Sequence, residues 1–195
     1  MRSDRTVSIQ LLMLALAMTT GITGCGGMRP TTFLHPEYNF AYIERVAVVP
    51  IETLVSDQGA GPRTTRYFVN ELLATEAFEV VEPGEVARVL GSLGVGRTAQ
   101  LTKEQAVQAG KQLSVQGIFV GSIGESETVR GRSSSSNTVT LSLRLLETDT
   151  GATVWSTTHT EGGRGFLQKL FGTGGDSMSE VTRRCVKKAI GTLVD

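Results

Sequence analysis

The sequence predicts an α/β (α+β) fold, a mixed β-sheet with helices packed on its faces, and three observations predict it. Strand-length apolar runs alternate along the chain with segments whose apolar residues recur every three or four positions. One run, VQGIFVGSIGE (115–125), is almost continuously apolar, whereas TVTLSLRLLET (138–148) alternates. The chain has 195 residues, 39% of them hydrophobic, enough for a single core with appendages.

In chain order, GGMRPTTFLHP (26–36) has the Gly, Pro and Thr of a tether. Tyr38, Phe40 and Tyr42 alternate, which suggests a strand or an edge segment. RVAVVPIE (45–52) is a β-branched run of strand length, with Pro50 at an edge or bulge. After the loop SDQGAGP (56–62), residues 63–76 place Phe68, Leu72 and Thr75 at helical spacing. FEVVE (78–82) is a second strand. Pro83 and Glu85 open a helix whose apolar face is Val86, Val89, Leu90 and Leu93. Thr102 and Gln105 form a capping-box pattern for a helix ending near Leu113. Two further strands follow the buried run at 115–125: the alternating 138–148, and a piece carrying Trp155 after a turn at 149–151. A Ser-rich segment, 126–137, separates the first two as a loop. The chain closes in a helix from about Met178 with Val181, Cys185, Ala189 and Leu193 on one face. The expected order is β-α-β-α-α-β-β-β-α.

The first 24 residues stand apart. Arg2 and Arg5 make a basic start, VSIQLLMLALAM (7–18) is an apolar stretch of signal-peptide length, and small residues follow. A transmembrane helix needs about 20 apolar residues, more than this stretch supplies. Ile22-Thr23-Gly24-Cys25 resembles the bacterial lipobox, in which the cysteine is acylated and becomes the first residue of the mature protein. The expected organisation is a lipoprotein signal peptide at 1–24, a lipidated Cys25 and tether at 25–42, and a domain at 43–195. The covalent lipid on Cys25 is the only non-protein group expected. With Cys25 acylated, Cys185 has no partner for a disulfide within the chain. Gly26 follows the cysteine where inner-membrane retention would call for Asp, so the expected location is the outer membrane with the domain facing the periplasm.

Charge narrows the partners. The chain has 19 basic and 19 acidic residues; removing Arg2, Arg5 and Asp4 leaves 17 against 18. A general nucleic-acid binder needs a basic face to neutralise phosphates, so none is expected as a partner. GSLGVGRT (91–98) has the outline of a phosphate loop with Arg97 in the lysine position. A helix rather than a strand precedes it, so it is taken as a helix end and a loop. His35 and His159 lack partners at ligand spacing, so no metal site is expected. Cys185 sits among apolar helical neighbours and is assigned to the core. With no nucleophile elbow, catalytic triad or carboxylate pair in view, the protein is expected not to be an enzyme.

Two segments remain as candidate contact surfaces. Arg130 and Arg132 flank a glycine beside SSSSN. FLQKLF (166–171) pairs Phe166 with Leu170 and Leu167 with Phe171 at i,i+4, a pattern that would fold onto the core, a partner or a membrane surface.

Together, RVAVVPIETL, FEVVEPGEVARVL, LTKEQAVQAGKQLSVQGIFVGSIGE and LSLRLLETDTGATVWS resemble, in that order, the CsgG/HfaB family of periplasm-facing lipoproteins over residues 43–160. The resemblance implies a domain similar to an anticodon-binding domain, a type also found in LpoB and the amino-terminal part of TolB. It implies a non-enzymatic assembly or protein-binding module for envelope secretion or cell-wall machinery, and a possible homo-oligomer. The family's channel members insert two hairpins per subunit, at positions matching 125–137 and 161–175 here. Both segments are short of the roughly 20 residues that a membrane hairpin requires. The expectation is therefore the periplasmic domain without the pore, with a curli-type channel subunit and an LpoB-like activator of a peptidoglycan synthase as alternatives.

Overall fold

The computed structural model describes residues 30–130, 135–163 and 176–194. The strands are β1 (Thr31–Leu34), β2 (Arg45–Val48), β3 (Glu52–Thr53), β4 (Glu79–Val80), β5 (Gly117–Arg130), β6 (Ser135–Glu147) and β7 (Thr153–Gly162). The helices are α1 (Ala60–Ala74), α2 (Pro83–Ser92), α3 (Lys103–Leu113) and α4 (Met178–Val194). They form one mixed sheet in the order β1-β7-β6-β5-β2-β4, with β3 beside the outer part of β5. β2 is parallel to β4 and β5, whereas β5, β6, β7 and β1 are antiparallel neighbours. The predicted fold class is the observed one.

Long-range alternation explains the two faces. On one, Val46, Val48, Phe119, Ile123, Leu141, Leu143, Leu145 and Trp155 meet α1 and α4. Fully burying each such side chain stabilises by roughly 1.5–3 kcal/mol. Phe119 is the hinge of an aromatic cluster, with ring centroids 5.2 Å from Phe68 and 6.0 Å from both Phe78 and Trp155. Among the described residues the other face is covered over β2, the start of β5 and the end of β6, where Ala47, Val49, Ile118, Val120 and Leu146 pack under α2 and α3. That two-sided burial is why VAVV and GIFV are continuous apolar runs while β6 alternates.

The capping box of α3 is present: the Gln105 N–H donates to Thr102 Oγ1 at 3.2 Å and the Thr102 N–H to Gln105 Oε1 at 3.1 Å. The helix ends at Ser114, whose φ of 53° is left-handed.

Four local expectations are corrected. The aromatic alternation at 38–42 is a turn followed by a 3-10 helix at Phe40–Tyr42, not a strand. The edge strand comes instead from Thr31–Leu34, inside the expected tether, because pairing with β7 satisfies a backbone that no local pattern marks. α1 starts three residues early, since the Gly61 N–H donates to Thr53 Oγ1 at 2.9 Å. A Cβ at Gly61 would lie 2.4 Å from Ile51 O, so only glycine lets the first turn come this close to β3. Finally, residues 126–130 and 135–137 are not a loop. They continue β5 and β6 as a ladder to the Arg130–Ser135 pair, after a register shift at Gly124.

Candidate functional site

The far end of the sheet carries the end of β5 and the two described flanks of residues 164–175. Gly162 of β7 pairs with Thr138, and Thr138 with Glu127. Among the described residues only β5 and β6 continue beyond that level, as a two-stranded hairpin. Arg130 ends β5 there. Arg132, Phe166, Leu167, Leu170 and Phe171, and the lipidation candidate Cys25, lie outside the described residues. The ends of the chain that contains the four apolar candidates are described, and one residue ties them. The Gly163 N–H donates to Asn137 O at 2.7 Å, and Asn137 Nδ2 donates to Asp176 O at 2.8 Å. Thr128 Oγ1 donates to Asn137 Oδ1 at 2.7 Å. Asn137 thus fastens the base of the hairpin to both ends of residues 164–175. No sequence signal pointed to it beyond its place after the serine run.

Behind the hairpin, β7 and α4 enclose a charge cluster that sequence reading also missed. Glu161, with a side chain only 11% exposed, accepts from Lys188 Nζ at 2.7 Å and Arg184 Nε at 3.2 Å. Arg184 also reaches Asp176 at 2.8 Å, and His159 Nε2 lies 3.4 Å from Glu161. Burial pushes the Glu161 carboxyl up, but the hydrogen bonds from Lys188 and Arg184 outweigh it and hold its pKa below the usual glutamate value. The spacing of 161, 184 and 188 becomes a cluster only when α4 packs on β7, which is a tertiary fact.

Cys185 lies under the same helix and is fully buried. Its Sγ points at His159 O, 3.4 Å away, and burial pushes the thiol up to about 12. It is a core thiol, as its helical neighbours suggested, and has no thiolate for chemistry near neutral pH. Arg97 of the phosphate-loop-like stretch is committed elsewhere: it pairs with Glu52 at 2.8 Å, and the Ala99 N–H donates to the same carboxylate at 3.0 Å. GSLGVGRT is therefore the end of α2 and a strap fixed to β3.

On the side away from α1 and α4, β6, β7 and β1 present hydroxyls to solvent. Ser142 and Thr158 are 3.1 Å apart, and Thr140 contacts Thr160 and Glu125, each at 2.8 Å. Arg144 closes the row by donating to Ala99 O at 3.0 Å. A larger groove of about 800 Å³ flanks α4, lined by Ala74, Ile190, Val194, Lys187, Lys188 and Pro30 among others. Among the described residues no group of three or more His, Cys, Asp or Glu side chains could hold a metal ion, and no helix is long and apolar enough to cross a membrane.

No family model matches the chain, and no curated protein matches it. Solved structures do. The PelC dodecamer from Paraburkholderia phytofirmans aligns with a TM-score of 0.56 at 17% identity, over 83% of this chain and 94% of that one. Lipoprotein GNA1162 from Neisseria meningitidis aligns with a TM-score of 0.57 at 15% identity, over 77% and 97%. A looser alignment, to the LpoB C-terminal domain from Escherichia coli, has a TM-score of 0.45 at 16% identity, over 63% and 86%. At these identities what is shared is the fold, and a lipoprotein is among the proteins that share it.

Proposed function

We propose that this protein is a lipid-anchored, non-enzymatic lipoprotein of the bacterial envelope, held in the outer membrane through acyl chains on Cys25, and that its domain binds and positions protein partners in the periplasm. The observation that carries the reading is the Ile22–Cys25 lipobox. It stands five residues ahead of Pro30, and the fold that follows is shared with lipoprotein GNA1162. The chemistry of the domain agrees. Its buried thiol is held in the unreactive form, Glu161 is neutralised by two cations, and Arg97 is tied to Glu52. Two or more acyl chains, each methylene contributing about 0.8 kcal/mol, hold such a domain firmly at a membrane. The CsgG/HfaB resemblance narrows the role to assembly or secretion machinery.

The first test is the mass of the mature N-terminal peptide together with the mass of the detergent-extracted protein. Acylated Cys25 at the N-terminus supports the anchor; an unmodified Cys25 within an uncleaved chain refutes it. In detergent-corrected light scattering, a monomer or dimer fits a partner-binding module. A ring of many subunits would favour the channel-subunit reading instead. Among the described residues, β5 runs only from Thr128 to Arg130 beyond the last level it shares with β7, short of the roughly 9–11 residues of a membrane strand.

A further inference from the structure

The surface of α4 leaves one cation over. Arg183 pairs with Glu71 at 2.7 Å, Lys188 and Arg184 share Glu161, and Arg184 also reaches Asp176. Lys187 is exposed and has no ion pair or hydrogen bond among the described residues. It lines the groove of about 800 Å³ beside α4, a volume within the roughly 300–1,000 Å³ of small-molecule sites. Lys188 lines the same groove and is the second of two cations on Glu161. With a side chain 54% exposed, it is free to turn to a ligand while Arg184 keeps that carboxylate neutralised. Ala74 of α1, with Ile190 and Val194 of α4, gives the groove apolar walls. His159 lines it from β7, its side chain only 5% exposed, and its buried Nδ1 has no hydrogen-bond partner among the described residues. A buried polar atom left unpaired is costly, so this imidazole is a hydrogen-bonding group not yet used. His159 and Lys188 both approach the same Glu161 oxygen, at 3.4 and 2.7 Å, which places the imidazole beside the cations.

We infer that the groove beside α4 binds a fatty acid, with the alkyl chain along Ala74, Ile190 and Val194 and the carboxylate at Lys187 and Lys188. This goes beyond the partner-binding reading and does not depend on the state of Cys25. A neutral lipid gains nothing from the cations, and a small inorganic anion gains nothing from the apolar walls. A molecule with both parts gains from each. The head is a carboxylate rather than a phosphate because a single cation is left over, whereas a phosphate monoester brings nearly two negative charges. The carboxyl group also suits His159. Neutral, with its proton on Nε2 toward Glu161, the imidazole presents Nδ1 as an acceptor; charged, it presents a donor there. A carboxyl group supplies the matching hydroxyl or oxygen in either state. Glu71, the carboxylate in the lining, does not oppose the ligand, because Arg183 holds it.

The test is photo-crosslinking on the full-length protein, reconstituted in vesicles of zwitterionic lipid, with a medium-chain fatty acid that carries a diazirine near its chain end. The cross-linked peptides are located by mass. Label is expected on residues 71–75 and 187–194, several-fold above that left by the fatty alcohol of the same length. Lys187→Glu, at an exposed position, should lower the label from the acid to the alcohol's level and leave the alcohol's unchanged. Ala74→Trp, also exposed, fills the groove and should lower both. Urea unfolding checks that each variant is folded, and if one is not, the other decides. Equal labelling by acid and alcohol overturns the inference, because the groove then recognises only the chain. Stronger labelling by the alkyl phosphate of the same length overturns it in favour of a doubly charged head. No label in the groove overturns it outright, as when the protein's own acyl chains fill the space. A second copy of the chain seated there gives the same blank, with Lys187→Glu or Ala74→Trp lowering the particle mass in light scattering.

Discussion

The two faces of the sheet are built to different specifications. Under α1 and α4 the apolar surface runs unbroken from β2 to β7, sealed by the Phe68–Phe119–Trp155 rings. On the other side α2 and α3 cover β2 and the base of β5, and the sheet continues as open rows of Ser and Thr. The same strand, β6, serves both: Leu141, Leu143 and Leu145 on one side, Thr140, Ser142 and Arg144 on the other. The sealed face gives the domain its stability.

Four substitutions sharpen that contrast. Trp155→Ala should cost the most, about 3–5 kcal/mol. It empties the centre of the sealed face and leaves Thr192 without the indole N–H that donates to it at 3.2 Å. Equilibrium urea unfolding reads this as a lower midpoint; a loss under 1 kcal/mol would mean that the aromatic cluster is not the keystone. Glu161→Gln comes next, at about 2 kcal/mol, by removing the charge that Lys188 and Arg184 share. Its effect depends on pH. Because the folded-state pKa is lowered, the wild-type stabilisation is complete above the usual value of 4.5 and fades as pH falls below it through the folded-state value. The variant should therefore match wild type in strong acid and fall behind it at neutral pH; a gap that stays constant across that range would remove Glu161 from the acid response. Thr102→Ala strips the α3 cap on the second face and should cost about 1 kcal/mol, read as a small drop in Tm. Thr158→Ala, on the open face, should fall within about 0.5 kcal/mol of wild type. If it proves as costly as the cap, the open face is structural after all.

What could be foreseen follows the same division. α2, α3, α4 and the core side of β6 each carry enough periodic apolar residues to announce themselves, and the Thr102–Gln105 box marked a helix start to the residue. β1 could not be foreseen, because TTFL beside Pro30 has a tether's composition and becomes a strand only through β7, more than a hundred residues away. The extension of β5 and β6 was hidden for a related reason. Residues 126–130 and 135–137 carry no apolar alternation in the sequence, yet the ladder needs only backbone. FEVVE shrank to the two residues of β4, whose ladder with β2 pairs Glu79 with Arg45 and Val80 with Val46 and closes with the Val81 N–H on Val46 O. As for the candidate residues, Arg130 is brought to the hairpin end, whereas Asn137 and Glu161 acquire their roles only from strands and a helix that meet in three dimensions.

The fastening by Asn137 has a consequence for how this protein can change. Gly163 and Asp176 are held beside one residue, so whatever joins them starts and finishes at nearly the same place. Closing a loop between fixed ends costs only about 0.6 kcal/mol more for each doubling of its length. Lineages could lengthen, shorten or replace the twelve residues between them with little penalty to the fold, and an engineer could graft a peptide there. Asn137 works as a socket: the domain stays the same while the fitting changes.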